Sequence, residues 1–349
     1  MGSRAKSGVE AVAISAAALL ATLVLFGAFV ALRGINPFDV YRVLYLGAFG
    51  SWFAIQHTLT QAAPLMLTAL CTAVPARAGL LVIGGEGALV VGGVATVLVG
   101  VTLMGVPAPV AIALMCMTGT LAGGLWIGAA GALRHYRGVH ETISTLLLNY
   151  IAIAVMNHLV TGPIRDFSQV LKPASWSVGE RFMIGDLPGT SIHWGLAFGV
   201  VTCLLVYVLM RRTTFGFAVD ILGGNVRAAQ MVGLPIGPLV LSTCVIGGAA
   251  AGLAGTIEVI AVHGFASASL AVGYGYAGIL VAFLARHNPM AIILIATLLG
   301  GISASGGLLQ RRFDLPDAAT LVLRGILFLA VLASSTLYGR LKIFQSRAV

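Results

Sequence analysis

Long apolar runs separated by short polar connections recur along the whole chain. Ten runs stand out, and all but one approach the ~20 residues that a helix needs to cross about 30 Å of hydrocarbon. They lie at residues 9–32, 51–74, 80–102, 106–131, 142–160, 194–210, 240–262, 274–284, 289–305 and 318–335. The run at 274–284 is too short to cross alone, so some helices are expected to be broken. The pattern predicts an all-α polytopic membrane protein with about ten transmembrane helices.

Composition agrees with the pattern, because 59% of the residues are hydrophobic and only 9% are charged. A soluble domain carries about 25% charged residues, so this chain is not expected to cover a water-facing surface. The first run is longer than the apolar region of a signal peptide, and we expect it to be a retained helix. The four cysteines fall inside apolar runs at spacings that indicate neither a metal site nor disulfides, and no cofactor is expected.

The basic residues predict the orientation. Twelve of the 20 lysines and arginines lie on the side of the N-terminus, seven lie on the other side, and Arg324 falls within the last run. The positive-inside rule then places both termini in the cytoplasm, as expected for a prokaryotic inner-membrane protein. The net charge of +9 is explained by this bias, so no nucleic-acid partner is expected.

Two connections are unusually long, residues 161–193 outside and residues 211–238 inside. The external one is rich in Pro and Gly and predicts a surface loop or short helix that faces an extracytoplasmic partner. In the internal one, Asn225 is a natural N-cap and Gly233 a natural end for a short helix of small residues. Such a helix suits docking to a cytoplasmic motor, with Ala228 and Ala229 small because a partner groove is close. The alternative is an interfacial helix that rests on lipid.

Five stretches carry a family resemblance. They read GLLVIGGEG from Gly79, GVHETISTLLLNYIA from Gly138, GGNVRAAQMVGL from Gly223, GGAAAGLAGTIEVIAVHG from Gly247 and GYGYAGILVAFLARHNP from Gly273. In order and spacing the chain resembles the permease subunits of ABC importers for nucleosides and simple sugars, relatives of the ribose and branched-chain amino-acid permeases. The resemblance implies one transmembrane permease domain over residues 1–349. Glycine-rich blocks around Gly84 and Gly252 suggest two pseudo-repeated halves.

The resemblance also implies partners. They are a second, similar permease, two cytoplasmic ATPases and an external substrate-binding protein or lipoprotein, with membrane lipid around the spans. The chain itself contains no GxxxxGK[ST] phosphate-binding loop, so it is expected to be a transport subunit rather than an enzyme. The coupling helix would be residues 223–233, with contacts from Gly223, Asn225, Arg227, Ala228, Ala229 and Gly233.

Several positions depart from the family pattern. Val82 and Ala88 stand where the family usually has amides, and His140 replaces a usual Asn. Asp220 stands where a basic residue is common, and Ala277 where a polar residue is frequent. Fewer polar groups are therefore expected along the substrate pathway.

The candidate pathway residues are Glu86, Asn149, Glu258, His263, Tyr274 and Tyr276. Glu86 lies among glycines in an apolar run, where an ionised side chain is energetically costly unless it has partners or a function. It faces either a wet cavity with cargo or a neighbouring helix that donates hydrogen bonds to it. Asn149 has the same two readings. Glu258 and His263 suit an external gate or an exposed interfacial pair.

Three function classes follow from these observations. The ABC importer permease is favoured by the long internal loop, the absent nucleotide site and the family motifs. An ion-coupled secondary transporter also has broken helices and membrane carboxylates, and it would transport alone on an ion gradient. A membrane-embedded enzyme would need a catalytic cluster at membrane depth, such as paired histidines or a Ser/Lys dyad, and the sequence offers none.

Overall fold

The structure, a computed structural model, describes residues 2–168, 172–316 and 318–335, and it is helical. The helices are α1 (Gly2–Ala31), α2 (Pro37–Phe49), α3 (Trp52–Arg77), α4 (Gly85–Thr102), α5 (Ala108–Arg137), α6 (Glu141–Thr161), α7 (Gly195–Arg212), α8 (Thr214–Gly224), α9 (Val226–Met231), α10 (Ile236–Ile257), α11 (Tyr274–Leu284), α12 (Pro289–Phe313) and α13 (Ala318–Ser335). A π-helical segment (Glu258–His263) extends α10, and Glu180–Phe182 and Ala268–Leu270 are 3₁₀ turns.

Seven helices of the described chain are long and apolar enough to cross a membrane: α3, α4, α5, α6, α7, α10 with its π segment, and α12. Four shorter apolar helices accompany them. The predicted helical, polytopic membrane fold is confirmed. The count of ten spans, the pseudo-repeated halves and the cytoplasmic termini stay predictions, and Arg340, Lys342 and Arg347, which were counted for orientation, lie outside the described residues.

Two helices were not expected from the apolar runs. In α2, the Asn36 side chain accepts a hydrogen bond from the Phe38 amide, and Pro37 occupies the first turn, as helix starts prefer. In α8, the Thr213 hydroxyl accepts a hydrogen bond from the Gly216 amide. At 13 and 11 residues, both helices are shorter than the runs that indicate membrane spans.

The chain divides into two compact units, residues 1–58 with 301–349, and residues 59–300. Helices α3 and α12 each run through the division. The prediction of a single permease domain stays a prediction. In the first unit, α1, α2, α12 and α13 contribute side chains to an apolar cluster that includes Phe26, Val40 and Leu309.

The second unit is built on close packing of α4, α5 and α10 through glycines. A Cβ added at Gly252 would lie 2.2 Å from the Gly119 carbonyl oxygen, and one at Gly92 would lie 2.4 Å from the Gly252 carbonyl oxygen. At the same contact between α4 and α10, a Cβ at Gly255 would lie 1.9 Å from the Leu89 carbonyl oxygen. Small residues let membrane helices approach at backbone distance, which strengthens van der Waals packing where lipid removes the hydrophobic driving force.

Residues 172–193 of the long connection between α6 and α7 pack onto the π segment of α10 and the residues that follow it. The amides of Ile184, Val178 and Ser175 donate to the carbonyl oxygens of Ile260, Gly264 and Ala266, each at 2.9 Å. Val178 and Phe182 are buried in the core of the second unit. Burial also lowers the pKa of His193, which keeps its imidazole neutral at pH 7. The expected surface loop is therefore a folded cover with one 3₁₀ turn.

The glycine packing generates a first prediction. Gly252→Val should force α5 and α10 apart, because its Cβ has no room beside the Gly119 carbonyl oxygen, and overpacking of this kind costs about 1–3 kcal/mol or more. The measurement is the melting temperature of the purified protein in detergent, read from the loss of the monodisperse peak in size-exclusion chromatography.

Gly307→Val is the matched control, since a Cβ at this α12 position meets no atom within 4 Å. Equal melting temperatures for the two variants would contradict the packing argument.

Candidate functional site

A non-helical segment, residues 80–84, connects α3 to α4 next to the first turns of α6. Gly79, with φ of +79°, makes the turn that ends α3. Leu80 and Val82 are buried in an apolar cluster with residues of α8, α9 and α10. A non-helical backbone at membrane depth is tolerated only where protein or water satisfies its polar groups, so the partners of this segment decide whether it can exist.

One polar face of α6 supplies most of those partners. At Leu81, Glu141 Oε1 accepts from the amide at 3.3 Å and Thr142 Oγ1 donates to the carbonyl at 3.0 Å. At Ile83, Thr145 Oγ1 accepts from the amide at 3.2 Å and Asn149 Nδ2 donates to the carbonyl at 2.9 Å. Because Glu141, Thr145 and Asn149 are spaced by four residues, they line up along one face of the helix.

The segment ends at a meeting point of two helix N-termini, those of α4 and α11. Glu86, in the first turn of α4, accepts hydrogen bonds from the amides of Gly273 and Gly275 at 2.7 and 2.6 Å. Asn149 Oδ1 accepts from the Gly87 amide at 2.8 Å. Free amides and the positive end of the macrodipole make a helix N-terminus favourable for a carboxylate. Glu86 therefore caps α11 while it belongs to α4.

Glycine is required at this meeting point for steric reasons. A Cβ at Gly275 would lie 2.0 Å from the Glu86 backbone nitrogen, and a Cβ at Gly87 would lie 2.8 Å from Asn149 Oδ1. The expectation that glycines around Glu86 let another backbone come close agrees with this geometry. The approaching backbone is the start of α11.

Two tyrosines complete the cluster that we call the junction, defined as Glu86, Asn149, Tyr274 and Tyr276. The Tyr274 hydroxyl donates to Gln61 Oε1 at 2.6 Å, and Thr68 Oγ1 donates to the Tyr274 carbonyl at 3.0 Å. Tyr276 lies with its hydroxyl 3.5 Å from Asn149 Nδ2 and keeps 41% of its surface exposed. Glu86 and Asn149 are buried and Tyr274 is partly buried, so Tyr276 is the most exposed side chain of the junction.

Glu258 and His263 form a separate pair in the π segment that extends α10. Glu258 Oε2 and His263 Nε2 are 3.6 Å apart, and Glu258 is buried. The neighbouring Val259 lies beside Gly93, seven residues along α4 from Glu86, or about 10 Å at 1.5 Å per residue. The predicted pathway residues thus fall into two groups at different depths.

The short helix predicted between Asn225 and Gly233 is present as α9 (Val226–Met231), and its coupling role stays a prediction. Asn225 caps it by accepting hydrogen bonds from the amides of Arg227 and Ala228 at 2.9 and 3.2 Å, and Gly233 follows it with φ of +78°. Ala229 is fully buried in the same apolar cluster as Leu80 and Val82, and Ala228 is half-buried. The small size of Ala229 is therefore explained by contacts within this chain rather than by a partner groove.

The outward surface of α9 is formed by other residues. Arg227 is exposed, as are Val226, Met231 and Val232, three apolar side chains that point away from the core. Gly223, which belongs to α8, lies against the end of α3, where a Cβ would be 2.0 Å from the Arg77 carbonyl oxygen.

Comparison with known proteins identifies the family. A family model described as "Branched-chain amino acid transport system / permease component" matches residues 54–332. The chain belongs to this permease family. The resemblance inferred from the five sequence stretches is thereby confirmed.

Curated relatives of this permease cover most of its length. It is 29% identical to the glucose ABC transporter permease protein TsgB13 of Haloferax volcanii, over 90% of this chain and 86% of the relative. It is also 29% identical to the guanosine ABC transporter permease protein NupP of Bacillus subtilis, over 86% and 88%. A second protein of that organism, the guanosine ABC transporter permease protein NupQ, is 25% identical over 82% and 92%.

The polar partners of residues 80–84 are what sequence reasoning missed in this permease. From the sequence, Asn149 is an isolated candidate that is not linked to Glu141, Thr142 and Thr145. The signal was present, since polar residues recur at intervals of four along the otherwise apolar α6. Such a stripe indicates a face that bonds to another part of the chain.

The cap on α11 generates a second prediction. Glu86→Leu should lower the melting temperature of the permease in detergent, because the amides of Gly273 and Gly275 lose their acceptors at about 1–3 kcal/mol each. Glu86→Gln should fall between Leu and wild type, since its single carbonyl oxygen can still accept.

Glu180→Leu, the same exchange at an exposed position in the connection between α6 and α7, is the control and should melt like wild type. If Glu86→Leu also melts like wild type, Glu86 does not hold α11 in place.

Proposed function

We propose that this permease is the membrane subunit of an ATP-driven importer for nucleosides or related simple sugars. The observation that carries the proposal is the family match over residues 54–332, joined by relatives named for guanosine and glucose that align with most of the chain. The alternative, an ion-coupled secondary transporter, has no comparable support.

The junction supplies a suitable surface for such cargo. The aromatic ring of Tyr276 can stack against a nucleobase or the apolar face of a sugar, and its hydroxyl can bond to a ribose hydroxyl. Glu86 and Asn149 act behind it by holding the starts of α4 and α11, so they position the site rather than contact cargo. Tyr274 helps to hold α11 through Gln61. The Glu258–His263 pair, beneath the external cover, is the proposed gate.

The partners follow from the importer class. Cytoplasmic ATPases supply the energy, since the sequence has no phosphate-binding loop, and an extracytoplasmic binding protein or lipoprotein delivers the cargo. A second, different permease chain completes the pathway. In support, two distinct guanosine permease proteins of one organism, NupP and NupQ, both match this chain. The α9 end of the bundle faces the cytoplasm, in keeping with the distribution of basic residues.

Reconstitution tests the proposal as a third prediction. Proteoliposomes that hold this permease, its partner ATPase and its partner permease should take up radiolabelled guanosine or glucose from the binding protein when ATP is present inside. The permease alone should neither transport nor hydrolyse ATP. Uptake by the permease alone on a proton or sodium gradient would replace the proposal by the secondary transporter.

Docking at α9 is a fourth prediction. Met231 is 83% exposed, and Met231→Arg should place a charge in the apolar contact that holds the ATPase. We expect the permease to express normally but to lose the co-purifying ATPase and ATP-driven uptake.

Met104→Arg is the matched control, because Met104 is also well exposed (57%) but lies in the connection after α4, outside the proposed docking segment. Retention of the ATPase by Met231→Arg at the level of Met104→Arg would show that α9 does not dock there. Ala229→Arg is unsuitable for this test, since burial of Ala229 would make any loss a folding defect.

A further inference from the structure

An ion pair joins the end of α3 to α8, close to the start of residues 80–84. Arg77 Nε donates to Asp220 Oδ1 at 2.9 Å and Arg77 Nη2 donates to Asp220 Oδ2 at 2.5 Å. This is the bidentate geometry in which a guanidinium fixes direction as well as distance. Arg77 Nη1 also donates to the Met210 carbonyl at 3.4 Å, so the same side chain holds the end of α7.

The pair stands between the two parts of the molecule that a transport cycle has to connect. Arg77 is the last residue of α3, two residues before the Gly79 turn that leads into residues 80–84 and the junction. Asp220 lies on α8, which is followed directly by Asn225 and α9.

Packing beside the ion pair reinforces the same connection. Gly223, one turn after Asp220, approaches the Arg77 carbonyl so closely that a Cβ would lie 2.0 Å away. Ala229 of α9 is buried in one apolar cluster with Ala78, Leu80 and Val82. A displacement of α9 is therefore transmitted to residues 80–84 through apolar contacts. The Arg77–Asp220 pair adds a directional bond between the end of α3 and α8.

We infer that Arg77 and Asp220 form a latch that makes α8, α9 and residues 80–84 move together, so that docking events at α9 reach Glu86 and the start of α11. The inference rests on the proposed function and deepens it. Arg77 and Asp220 are positioning residues, since they act on the junction through residues 80–84. Arg77 is only 12% exposed, but Asp220 is 47% exposed, and an ion pair that is open to water on one side is screened there. The latch therefore works by geometry more than by stability.

A charge-exchange experiment in the reconstituted complex tests the latch. The variants are Asp220→Asn, Arg77→Asp, Asp220→Arg and the double exchange Arg77→Asp with Asp220→Arg. The readouts are cargo taken up per ATP hydrolysed, the amount of co-purifying ATPase and the melting temperature. Arg137→Asp is the control, because Arg137 is an exposed cation at the end of α5, outside the latch.

Each single variant should lower the cargo transported per ATP by about fivefold or more, the lower end of coupling between linked sites. ATPase co-purification and the melting temperature should stay near wild type, as they should for Arg137→Asp. The double exchange should restore part of the cargo transported per ATP, because an ion pair of reversed polarity can form again. If the pair had a purely structural role, the double exchange would not raise the cargo transported per ATP while the melting temperature stayed constant.

The outcomes separate this inference from the proposed function. If the wild-type complex transports with ATP but the single variants transport as much cargo per ATP as wild type, the latch is overturned and the proposal of an importer is retained. The latch is also overturned if the single variants transport less cargo per ATP only when they also lose their folded state, or if the double exchange restores nothing. If the wild-type complex shows no ATP-driven uptake, the importer fails and the latch fails with it.

Discussion

Backbone amides and carbonyls that leave the helical pattern inside a bilayer need partners from the protein, and the rest of this structure depends on how that need is met. Residues 80–84 form no helix. The amides and carbonyls of Leu81 and Ile83 bond to side chains of α6, and Thr72 Oγ1 donates to the Val82 carbonyl at 3.1 Å. The start of α11 is likewise satisfied by Glu86. In water these amides could be left to solvent, but in hydrocarbon each unpaired group costs several kcal/mol. The short polar residues at membrane depth are therefore first a structural requirement.

This requirement also explains the division of labour at the junction. Glu86 and Asn149 use their hydrogen-bonding capacity on backbone groups of α4 and α11, which leaves little for a ligand. The surface that contacts cargo then has to come from a neighbouring side chain that is held in place but whose ring is not used in these bonds. Tyr276 is such a side chain. Rigid support beneath an exposed aromatic ring lowers the entropic cost of binding, because the ring is already oriented.

The sequence predicts the spans well and the junction poorly, for physical reasons. Crossing a bilayer needs a long apolar run, so α5, α6 and α10 appear directly in the hydrophobic pattern. The short α2 and α8 leave no such run. The bonds of Glu86 join positions 187 and 189 residues apart, and no local pattern encodes a partner at that distance. The sequence does show that Glu86 needs a partner and that its neighbours are small, but either cargo or a helix meets that description.

Residues 80–84 resemble an edge strand of a β-sheet in their hydrogen bonding. Their backbone partners, however, are side chains of α6 rather than the backbone of a neighbouring strand. Leu81 and Ile83 turn both of their backbone groups toward α6, whereas the Val82 carbonyl turns to Thr72 on the other side. The alternation has a period of two, so one inserted or deleted residue would turn every donor and acceptor away from its partner. Side chains such as the exposed Leu81 are free to vary, because the bonds are made by the backbone. In this stretch the number of residues is therefore more tightly constrained than the identity of an exposed residue such as Leu81.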